Sequence, residues 1–105
     1  MTWIPSTPAD FAELLGNELA ACSPTERAAF MAHAIESAKW TQSPWGDAGG
    51  GFWAIAQRKK AVLWYNDIEE GFQVSAFDSP GAIPENQYWC SQDDLAIAIR
   101  RLVEL

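Results

Sequence analysis

The chain has 105 residues, 49% of them apolar and 20% charged, with a formal charge of −7. That length suits one domain with one core, burying roughly 65% of its unfolded surface without staples, and the apolar fraction excludes disorder. The acidic balance repels phosphate backbones and anionic headgroups, which sets nucleic acid and membranes aside as partners and favours a basic protein.

No apolar run approaches the ~18 residues that a membrane helix needs. Met1–Pro5 has neither the basic nor the apolar region of a secretory leader. Cys22 and Cys90 stand far apart in no metal-ligand spacing. Free thiols in a reducing cytoplasm are the expectation, and an oxidising compartment would permit one disulfide. No motif calls for a cofactor.

The first helix is announced by Thr7 as cap, Pro8 at the first position and Asp10 in the first turn. Phe11, Leu14, Leu15, Leu19 and Cys22 follow on one face. Ser23-Pro24-Thr25-Glu26 is a capping-box pattern that opens a second helix. Its expected stripe is Ala28, Met31, Ala32, Ile35 and Ala38, which leaves Phe30 and His33 facing outward.

Gln42–Gly51, with Pro44, Gly46 and three consecutive glycines, reads as a loop. Phe52–Gln57 and Ala61–Asn66 read as a hairpin across Arg58-Lys59-Lys60, although that turn lacks Gly or Asn. Asp67–Gly71 is a turn and Phe72–Phe77 a third strand. After the Asp78–Asn86 loop comes an optional short strand over Gln87–Cys90. Ser91-Gln92-Asp93-Asp94 then caps a last helix with the stripe Leu95, Ala98, Ile99 and Leu102, and Arg100 and Arg101 suit its carbonyl end. The fold class is α+β, a three- or four-stranded antiparallel sheet packed by an N-terminal helix pair and a C-terminal helix.

Several constellations fail on chemistry. The glycine run leaves a helix and enters a strand, the reverse of a dinucleotide fingerprint, so a hinge or tight bend is expected. Aligning Gly71 with the invariant glycine of a calcium loop puts Ile68 at a ligand position, which cannot ligate. Cys90, just before the expected Ser91 cap, could have its thiol activated by a helix N-terminus, but no base accompanies it and a packed strand-end residue is the plainer reading. Arg58–Lys60 between Trp53 and Trp64 is the sole basic cluster, and a solvated hairpin tip explains it.

Strand alternation is more informative. Phe72, Val74 and Ala76 against Gln73 and Ser75 describe a strand with one wet face. Phe52–Gln57 and Ala61–Asn66 are apolar on both faces and need cover on both. Either the helices divide between the faces, or an aromatic face awaits a partner, a second copy or an apolar ligand. Trp3, Trp40, Trp45 and Trp89, at element ends or in loops, and Phe30 are placed as anchors.

The resulting expectation is a non-enzymatic protein-interaction module, of regulatory or toxin-neutralising type by analogy. Its surface would be Trp45, Trp53, Trp64 and Tyr65, rimmed by Asp67, Glu69 and Glu70. The alternative is a small-ligand domain with an aromatic pocket beside the glycine loop. Third comes an enzyme built on Cys90 or His33.

Overall fold

The computed structural model describes residues 3–105, so Met1 and Thr2 of the N-terminal stretch lie outside it. The order is α1 (Pro8–Ala21), α2 (Pro24–His33), β1 (Ala34–Trp40), β2 (Phe52–Arg58), β3 (Ala61–Asn66), β4 (Gly71–Ala76) and α3 (Leu95–Val103). The strands form one antiparallel sheet in the order β1-β2-β3-β4. The α+β class with a four-stranded sheet and three helices is as expected.

The expected caps of the first two helices form. Thr7 Oγ1 accepts from Asp10 N at 3.1 Å, and Ser23 and Glu26 make both bonds of the capping box. On α3 the cap is Asp94, whose carboxylate accepts from Ile97 N at 3.1 Å, rather than Ser91.

The fourth strand is not Gln87–Cys90. Glu85–Gln87 forms a 3-10 turn, and the extra strand is β1, cut from the end of the expected second helix. Locally Ala34–Lys39 suits a helix. Pairing with β2 overrides that weak preference, because a strand here completes the ladder and brings Trp40 beside Phe52.

The orientation of α2 also differs. Phe30 is 5% exposed and Met31 69%, while Ala28 and Ala32 are exposed. Alanines withdraw little area from water, so one phenyl ring outweighs an alanine-rich stripe.

All three helices lie on one face of the sheet. Phe11, Cys22, Phe30 and the α3 stripe pack there on Ile55, Leu63, Tyr65 and Phe72. The opposite face is covered by loops: Phe52, Ala54, Val62 and Trp64, with Trp40 beside Phe52 at the end of β1, lie under Phe77 and Ile83, and Trp3 and Tyr88 pack against them. The two apolar faces are therefore both covered, one by helices and one by chain without regular structure. A bulge in β2 sets the division. Ala54 pairs with Trp64 but Ala56 with Leu63, so Ile55 and Ala56 both join the helix-side core, against strict alternation.

Gln73 and Ser75, expected on a wet face, are each 1% exposed. Polar side chains tolerate burial when their hydrogen bonds are made. Trp64 Nε1 donates to Ser75 Oγ at 2.9 Å, and that hydroxyl donates to the Gln87 carbonyl at 2.5 Å. Gln73 donates to the Ser91 carbonyl and accepts from Ser91 Oγ. The final loop is thus fastened to β4 by side chains that sequence alternation assigns to water.

Candidate functional site

The four aromatics expected to share one surface are divided by the sheet. Trp64 is fully buried among loop-side residues and Tyr65 is buried on the helix side. Trp53 is half-buried on the helix side, stacked on Phe11 with ring centres 5.4 Å apart and Lys39 5.1 Å from its ring. Of the four, only Trp45 is largely exposed, at 55%. Phe30 and Trp40, placed above as anchors, are core residues.

Trp45 is held by a tight loop. Buried Gln42 folds its side chain inward, and its carbonyl accepts from Trp45 N at 3.0 Å and Gly46 N at 3.2 Å. Gly46, a 3-10 turn over Asp47–Gly49, and Gly50 and Gly51 at positive φ complete a tight, internally bonded loop instead of a hinge. The indole of Trp45 stacks on Tyr88 at 5.6 Å, and Tyr88 leans on Phe52 and Trp64. The exposed ring therefore rests on the loop-side core.

Trp89, 45% exposed, is brought to the same end by Asn66. Asn66 Nδ2 donates to the Trp89 carbonyl at 2.9 Å, while Oδ1 accepts from Ile68 N and Glu69 N. One buried amide thus ties the acidic turn to the segment carrying Tyr88 and Trp89. Ile68, in that turn, is 36% exposed. Burial raises the pKa of the Tyr88 hydroxyl, and the carboxylates of Glu69 and Asp67 push the same way.

The acids of the turn have different places. Asp67 is half-buried and accepts from Ser6 N at 2.8 Å, so it is a structural acceptor and not a free rim charge. Its other oxygen is buried without a partner among the described residues, and burial raises its pKa. Exposed Glu70, at φ 57°, lines a cleft with Tyr65 on the helix side.

The space against Gly49 is filled by the rings of Trp3 and Pro5. Cys22 is buried and its thiol pKa is raised, by burial and then by Glu26, Glu18 and Asp94. Cys90 is exposed and lies four residues before the α3 cap, so it is neither packed at a strand end nor at a helix N-terminus. His33 is half-buried and leads into the strand end paired with Ala56 and, through it, Leu63 in mid-β3; Cys90 follows Trp89, whose carbonyl is bonded to Asn66 at the end of β3. Three residues along the sheet alone separate them by about 10 Å. Arg58 and Lys59 both donate to the Leu105 carbonyl oxygen. No group of three or more His, Cys, Asp or Glu among the described residues is arranged to hold a metal ion, and none of the described helices is long and apolar enough to cross a membrane.

Tyr88 joins Trp45 as its stacking partner, and Asn66 ties the neighbouring Trp89 and Ile68 backbone to the same strand end. The signal for Trp89 was its place outside regular elements. Nothing local marked Tyr88 or Ile68. Comparison with protein-family models, with curated proteins and with solved structures gives no match.

Proposed function

We propose that this chain is a small non-enzymatic interaction module that seats a basic protein against its loop-built face. The observation that carries the reading is the pair of indoles, Trp45 and Trp89, left 55% and 45% exposed, the first stacked on Tyr88 and the second next to it in sequence and tied through its carbonyl to the Asn66 end of the Asp67–Glu70 turn. Rigid rings grouped in the open are typical anchors of a contact, because covering them removes apolar area from water with little side-chain entropy lost. The formal charge of −7 and the carboxylates of Glu69 and Glu70 make the complementary partner basic. Such rim charges set approach rate and salt sensitivity while the rings provide the hold. A regulatory or toxin-neutralising role follows by analogy alone, and two free thiols suit a reducing cytoplasm.

The other readings have less support. A ligand pocket beside the glycine loop competes with Trp3 and Pro5 for the same space. For an enzyme using Cys90 or His33, the one visible base would have to come within hydrogen-bond reach of the thiol, and about 10 Å of sheet separates the segments that carry them.

The test is affinity capture from native extract on the immobilised chain, identification of the retained protein, and reconstitution with that protein purified. The partner should have a basic isoelectric point. Trp45→Ala and Trp89→Ala should each weaken binding by at least about 2 kcal/mol, roughly thirtyfold in Kd, with unchanged circular dichroism. An acidic partner, or affinity indifferent to both variants, would refute the reading. Self-association through the same rings would instead appear in sedimentation as a dimer that Trp45→Ala dissolves.

A further inference from the structure

On the helix side of the Asp67–Glu70 turn, a cleft of about 350 Å³ opens between α1, the Tyr65–Phe72 end of the hairpin, and the segment entering α3. The rings of Tyr65 and Phe72, 4.8 Å apart, form its floor together with Leu14. Glu18, Glu70, Asp93 and Asp94 stand around it, and none of its lining residues is basic.

Part of this acidity has a local duty. Glu18 accepts from Leu95 N at 3.0 Å and Asp94 from Ile97 N at 3.1 Å, so both satisfy free amides of the first turn of α3. Asp93 pairs with Arg101 at 2.5 Å. Glu18 and Asp94 each keep a second oxygen, and Glu70 is exposed with no ion pair among the described residues. Three carboxylates thus border the cleft without a cation.

Helix capping explains Glu18 and Asp94, but not Glu70 and not Tyr65. Tyr65 is 5% exposed and lines the cleft, and its hydroxyl, which keeps a little contact with solvent, makes no hydrogen bond among the described residues. Burial, and then the carboxylates of Glu70, Asp67 and Glu18, push its pKa up to about 12. At neutral pH it is a phenol, as any tyrosine is, able both to donate to a carboxylate and to accept from a cation.

We propose that this cleft seats an arginine side chain of the basic partner, its stem on Leu14 and the aromatic floor and its guanidinium among Glu18, Glu70, Asp94 and the Tyr65 hydroxyl. The inference rests on the interaction reading above and deepens it. Separate acceptors spread around one apolar floor suit a delocalised, weakly hydrated group with five N–H donors better than a compact ammonium. One partner reaching round this end of the sheet can touch both sites, the rings on the loop side and the cleft on the helix side. Trp89 and Asp93 lie on one segment, and four residues of chain reach at most about 14 Å. A standard interface of about 800 Å² per side spans that distance.

The full chain, labelled with nitrogen-15, is titrated with the blocked tripeptide acetyl-Gly-Arg-Gly-amide, with its lysine counterpart, and with calcium chloride. The arginine peptide should give saturable shifts at the amides of Tyr65, Glu70 and Asp94, and the lysine peptide should bind more weakly. Glu70→Gln should weaken binding about threefold, as expected for a partly exposed ion pair. Tyr65→Phe keeps the ring, removes only the hydroxyl, and should weaken it by a similar factor. Glu85→Gln makes the same charge change on a remote exposed turn and should do nothing. Equal weakening by Glu85→Gln and Glu70→Gln would reduce the cleft to diffuse acidity and overturn the proposal. So would lysine binding as tightly as arginine, calcium saturating the same shifts at lower concentration, or no saturation at all. A partner held through Trp45 and Trp89 but indifferent to Glu70→Gln and Tyr65→Phe would remove this inference alone. A partner indifferent to Trp45→Ala and Trp89→Ala would instead remove the interaction reading.

Discussion

Two neighbouring residues of α2 test which way that helix faces. Phe30 is 5% exposed in the helix-side core and Met31 is 69% exposed. Truncating a buried Phe to Ala costs about 3–5 kcal/mol, the transfer of the ring plus the cavity it leaves. With nearly all of Phe30 withdrawn from water, that full range applies. Met31 hides less than a third of its surface. A fully buried Met is worth about 1.5–3 kcal/mol, so Met31→Ala should cost less than about 1 kcal/mol. The gain in helix propensity on going to Ala offsets a few tenths of that. Both positions lie inside one helix and both end as Ala, so the backbone terms nearly cancel and packing makes the difference. Urea unfolding followed by circular dichroism reads it directly. With a slope of about 1–3 kcal/mol per molar for a chain of this size, Phe30→Ala should lower the midpoint by at least about 1 M. Met31→Ala should shift it several-fold less. A larger loss for Met31→Ala would mean that α2 packs through its alanine stripe, and the reasoning would fail.

Ser75→Ala removes the acceptor of the buried Trp64 indole and the donor to the Gln87 carbonyl, and unpaired buried groups should cost about 1–3 kcal/mol in the same assay. Burial raises the Asp67 pKa above its ordinary 3.8, so its contribution to stability is full below pH 3.8 and is lost as pH rises through the folded value. Asp67→Asn, which keeps an acceptor for Ser6 N, should therefore match or exceed the parent in stability at pH 7, and lose any advantage below pH 3.8; lower stability at pH 7 would contradict this. In the native chain Cys90 should react with a thiol reagent within the mixing of the sample, and Cys22 only on unfolding, giving one fast and one slow equivalent. Replacing both by Ala should leave partner binding intact.

Much of the fold was legible because its signals are local. Caps are such signals: Thr7 and the Ser23–Glu26 box bond amides three residues away, so their geometry needs no other part of the chain. The α3 stripe is another. Leu95, Ala98, Ile99 and Leu102 are all buried, because four apolar groups on one side leave a helix a single way to lie on a sheet. The two-sided apolarity of Phe52–Asn66 likewise demands cover on both faces, a requirement carried by the alternation of two short strands alone. Part of the candidate site was legible too, since Trp45 and the Asp67–Glu70 turn stand out by composition and position.

Only the tertiary structure decided which face the helices took, and it gave the other to loops. It turned Ala34–Trp40 into a strand, since a ladder of hydrogen bonds to β2 outweighs a helix preference of a few tenths of a kcal/mol per residue. It reversed α2, because one phenyl ring carries more burial than several methyl groups. It buried Gln73 and Ser75, whose wet-face pattern assumes that no loop returns to bond them. The functional surfaces follow from the same long-range contacts. Asn66 joins the acidic turn to Trp89 across 23 positions of sequence, and the acidic cleft gathers Glu18 from α1 with Asp94 from the cap of α3. Local periodicity records which residues prefer burial, but which distant residues meet is settled by the one packing that covers both faces of the sheet.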